Sequence, residues 1–61
     1  MVELSKKILL KVSFDQQLFH KELVKAVNWI QRSDDFQKFR AWCMAEFGHR
    51  YPAVLQQVFS N

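Results

Sequence analysis

One cysteine, one glycine and one proline in 61 residues remove several kinds of chemistry before any element is placed. A lone Cys43 cannot close a disulfide within the chain, so a reducing compartment, the cytoplasm, is the expected setting. A single glycine leaves no Gly-rich loop to cradle a phosphate. No apolar stretch approaches the roughly 18 to 20 residues of a membrane span. The apolar run nearest the start, Ile8 to Leu10, is bracketed by Lys6, Lys7 and Lys11, so no signal peptide and no membrane partner are expected. A net charge of +3 leans basic, but acids are interspersed among the cations from Lys6 to Arg50, so it is only a weak pointer to nucleic acid.

Metal and catalytic constellations are equally thin. Cys43, His20 and His49 are the soft or borderline ligands, and their spacing matches no zinc pattern, which normally needs four ligands. Cys43 lies between Phe39 and Phe47 in apolar surroundings unsuited to a reactive thiolate. Asp34 and Asp35 are explained as helix-start residues. So short a chain also struggles to enclose a substrate pocket while keeping a core. The expectation is a non-enzyme with no metal and no cofactor.

What the chain does have is apolar and aromatic content, 49% and 15%, too much for a disordered segment. Its length suits one domain over residues 1–61. The spacing predicts an all-α fold: a small single-domain bundle of helices near 3–12, 15–31 and 34–47, plus a short C-terminal fourth near 52–59. Residues 2–12 also alternate at Ile8, Leu10, Val12 and Phe14 as a strand would, but no other segment offers a β partner, and Leu4, Ile8 and Val12 recur at helical spacing. At the next start, Ser13 with Gln16 fits a capping box. Asp15 as N-cap instead places Phe14 and Phe19 as a hydrophobic staple.

From Gln16 to Gln31, the residues Phe19, Leu23, Ala26, Val27 and Ile30 form an inward stripe about 100° wide. Ser33 or Asp34 is placed to cap the following helix, on which Phe36, Phe39, Trp42, Cys43 and Phe47 share one arc. Trp42 and Phe39 are expected to carry the core, because buried aromatic side chains dominate small ones. Gly48 reads as a left-handed residue ending that helix, with His49 and Arg50 complementing the dipole, and Pro52 as the first residue of the last helix.

A second line on the 15–31 helix, Leu18, Glu22, Lys25 and Trp29, falls off the inward stripe. In the ordinary arrangement of a small bundle the first or last helix folds over it. Left open, it is an anchor patch: Trp is enriched at binding hot spots and charged residues commonly rim them. The function expected is therefore a small non-catalytic protein–protein interaction module, an adaptor, regulator or assembly partner, whose partner is another protein or itself as a homodimer. The alternative is a DNA-binding, helix-turn-helix-like protein, with the 34–47 helix as reader. Asp34 and Asp35 at its first turn would repel phosphate, and the turn lacks the glycine common in that motif.

Overall fold

Asp15 sets the second helix in place. Its backbone is extended, at φ −129° and ψ 113°, and its carboxylate accepts hydrogen bonds from the Gln17 and Leu18 amides at 3.0 and 3.2 Å, supplying partners for two otherwise free donors. Ser13 does not complete the capping box; its hydroxyl donates back to the Leu10 carbonyl at 2.9 Å. Nor does a staple form, since Phe14 is 74% exposed.

The computed structural model describes residues 2–60. Its helices are α1 (Val2–Val12), α2 (Gln16–Ile30), α3 (Phe36–Phe47) and α4 (Pro52–Phe59), with no strand among the described residues. The ambiguous first segment is thus helical. It buries Ser5 and Leu9 and half-buries Val2 and Val12, which recur every three or four residues as one helical face. Leu4, expected on the inward stripe, is left about half exposed. Ser5 and Ala26, both buried, line the same small groove between α1 and α2.

α1 packs along α2, and α4 packs against both α2 and α3. The buried side chains form one cluster drawn from all four helices, centred on Phe19, Leu23, Ile30, Phe39 and Leu55. The Cα radius of gyration is 10.2 Å, against about 10.5 Å for a compact chain of this length.

Three further details differ from the sequence expectation. α3 begins two residues later than expected, at Phe36. Asp35 occupies the N-cap without a side-chain hydrogen bond, and the Ser33 hydroxyl accepts from the Asp35 amide at 3.0 Å. Gly48 is right-handed, at φ −60° and ψ −31°, its amide donating to the Met44 carbonyl at 3.0 Å. Glycine suits this position through close approach: a Cβ there would overlap that carbonyl oxygen. Trp42 is only half-buried. It stacks on Phe39 at 6.2 Å, meets Phe47 edge-on at 5.6 Å and carries the Lys6 ammonium 5.4 Å from its ring centre. Trp42 therefore seals the core edge between α1 and α3, and the fully buried rings are Phe19 and Phe39.

Tyr51 ties two interhelix corners together. Its ring lies 4.7 Å from that of Phe19, and its hydroxyl donates to the Ser13 carbonyl, joining the α3–α4 corner to the α1–α2 corner.

Candidate functional site

With its inward stripe spent on the core, α2 has a second face turned outward. At 100° per residue Leu18, Glu22, Lys25 and Trp29 fall within an arc of about 60°, spread over about 16 Å of helix. Leu18 is 40% exposed and Trp29 59%. Neither α1 nor α4 covers Leu18 or Trp29, although Ser5 and Ile8 of α1 line a small groove beside the indole. The ordinary covered arrangement expected for such a line is not the one adopted.

Between the two apolar residues, Lys25 Nζ lies 3.7 Å from Glu22 Oε2. The lysine side chain is well exposed, the glutamate one less so. As an exposed i,i+3 pair it contributes only a few tenths of a kcal/mol to the helix. Its larger consequence is geometric, since each side chain holds the other on the outer face.

Trp29 borders two concavities. A shallow groove of about 70 Å³ runs beside Ile8, Glu22 and Lys25. A wider cleft of about 420 Å³ lies on its other side, edged by Glu3, Lys6, Asp35 and Lys38. α1 flanks this face instead of covering it. Ile8 lines the shallow groove, and Leu4 stands one turn earlier on the same flank of α1. The signal that identifies this flank is the spacing of Leu4 and Ile8 together with an inward stripe already complete without Leu4.

Other chemistry finds little footing. Cys43 is fully buried and burial pushes its thiol up to about 12, with the Lys6 charge pulling weakly the other way. It is thus held as a packing thiol rather than a nucleophile. Among the described residues no three His, Cys, Asp or Glu side chains converge as a metal site, and no helix is long and apolar enough to cross a membrane. On α3, Lys38 and Arg40 face solvent, but so do Asp34 and Asp35 at its approach, where they would repel a nucleic-acid backbone.

The chain matches no protein-family model, no curated protein and no solved structure. The outer face of α2, with its exposed Leu18 and Trp29, is the chain's distinguishing surface feature.

Proposed function

We propose that this chain is a small non-catalytic protein–protein interaction module of the cytoplasm, an adaptor, regulator or assembly partner, docking through Leu18, Glu22, Lys25 and Trp29. The observation that carries the reading is the 59% exposure of Trp29 on a helix whose inward stripe already completes a core. A large indole left in water beside a charge pair stabilises the fold little, yet an aromatic anchor with a polar rim is what desolvated binding centres are built from. The raised pKa and burial of Cys43 support a non-catalytic role, and a free buried thiol suits a reducing compartment.

Trp29→Ala tests this. The variant should keep its helical circular dichroism and cooperative melt, because the indole contributes little to the core. Immobilised wild-type chain should retain a discrete protein from extract of the source cells, whether its own kind or another. Trp29→Ala should lose that retention by at least about fivefold in affinity, equivalent to about 1 kcal/mol. Equal retention by both chains, no retention by a wild type that also stays monomeric up to about 1 mM, or loss of the fold in the variant would overturn the reading.

A further inference from the structure

We infer that the occupant of the α2 outer face is a second copy of this chain, its α2 lying antiparallel across the first about a two-fold axis. This rests on the docking reading above and names the partner. The observation behind it is a symmetry in residue spacing. The midpoint between Leu18 and Trp29 is also the midpoint between Glu22 and Lys25, and both fall between Leu23 and Val24.

A two-fold contact requires one patch to be complementary to itself, each residue meeting its counterpart reflected through the axis. With the axis at that shared midpoint, Leu18 comes level with the partner's Trp29, and Trp29 with the partner's Leu18. Glu22 comes level with the partner's Lys25, and Lys25 with the partner's Glu22. Each apolar residue meets an apolar one and each charge its opposite. A parallel pairing in register would set Glu22 against Glu22 and Lys25 against Lys25, which is repulsive. The four positions occupy a narrow arc of the helix, so two α2 helices at the usual 8 to 10 Å separation bring these side chains within reach.

The surface available points to a weak pairing. A standard interface takes about 800 Å² from each partner, nearly a fifth of the 4441 Å² that the folded chain exposes. Four side chains on α2 do not supply that much. Leu4 and Ile8 widen the contact, because an antiparallel two-fold sets the α1 flanks of both copies on the same side. The result is a small interface and a weak, reversible dimer, with a dissociation constant in the micromolar range or above. The net charge of +3 on each copy opposes approach, and salt at about 0.15 M confines that repulsion to about 8 Å.

Sedimentation equilibrium of the purified full chain from about 1 µM to 1 mM at that salt concentration tests the inference. The wild type should pass from monomer toward dimer across this range. Glu22→Lys and Lys25→Glu should each weaken self-association at least about tenfold, since each sets like charges level. An equimolar mixture of the two variants should recover dimer to within about threefold of the wild type, because the mixed pair restores both opposite-charge levels. Arg40→Glu, the same charge change on exposed α3, should behave as the wild type. Trp29→Ala should weaken the dimer at least about fivefold, a check independent of charge.

A wild type that stays monomeric throughout, or charge variants that fail to rescue each other on mixing, would overturn self-pairing. If such a monomer nonetheless retains a different protein from extract in a Trp29-dependent way, the docking reading stands and only the identity of the partner falls.

Discussion

Phe19→Ala should leave the chain largely unfolded at 25 °C. Phe19 has no solvent exposure, and its ring lies 4.7 Å from both Phe47 and Tyr51, so it joins α2, the end of α3 and the corner before α4. Truncating a buried Phe to Ala costs about 3 to 5 kcal/mol. At about 0.05 to 0.15 kcal/mol per residue, a domain of this length has roughly 3 to 9 kcal/mol in total. A urea melt followed by far-ultraviolet circular dichroism should show the native baseline lost or nearly so. Trp42→Ala should do less damage, because Trp42 is half-buried at the rim of the core. A Phe19→Ala midpoint close to that of the wild type would show that the core is not centred on this ring.

Cys43 should be almost inert to thiol reagents in the folded chain and react fully on unfolding. Its pKa is raised from 9.0 to about 12 by burial, which at pH 8 lowers the thiolate fraction about a thousandfold, before access is counted. Modification should therefore follow global opening and report the stability of the fold. The same shift gives stability a pH dependence. The folded state keeps its proton up to about 12, whereas the unfolded chain releases it above about 9, so the native state binds more protons in between. The thiol's contribution is fully present below pH 9 and is lost as pH rises toward 12, by up to about 1.4 kcal/mol per pH unit. Cys43→Ala should flatten that alkaline slope. Rapid labelling of native protein, or a slope unchanged in Cys43→Ala, would contradict the burial assigned to this side chain.

Much of the fold is legible in the residues because its signals are local. Asp15 caps α2 through amides two and three residues away, and the inward stripe of α2 needs only the helical period. Pro52 begins α4 where its missing N–H is harmless. Features that depend on a neighbour at a distance are not readable this way. The Tyr51 hydroxyl reaches Ser13 across 38 residues of chain, and no spacing rule anticipates it.

The same limit governs α1. Leu4, Ile8 and Val12 are as regular a stripe as Val2, Ser5, Leu9 and Val12, and only the way α1 packs along α2, which buries Ser5 and Leu9, decides between them. Trp42 lies on the correct arc of α3, but it is half-buried with Lys6 over its ring where full burial was expected. For the candidate site, the division of α2 into two faces was visible in the spacing of Leu18, Glu22, Lys25 and Trp29. Whether another helix covered the second face was not, because that depends on where α1 crosses.

Quenching of Trp29 fluorescence by acrylamide tests the central claim most directly, that the outer face of α2 is open in the single chain and closed by a second copy. It is measured in the full chain carrying Trp42→Phe, with the helical signal checked, so that Trp29 alone reports. Dilute protein should be quenched almost as readily as free tryptophan, and quenching should fall steadily as protein concentration rises toward about 1 mM, the range of a weak dimer. Strong protection at every concentration would mean that the face is covered within the monomer. Full accessibility at every concentration would mean that no second copy closes it.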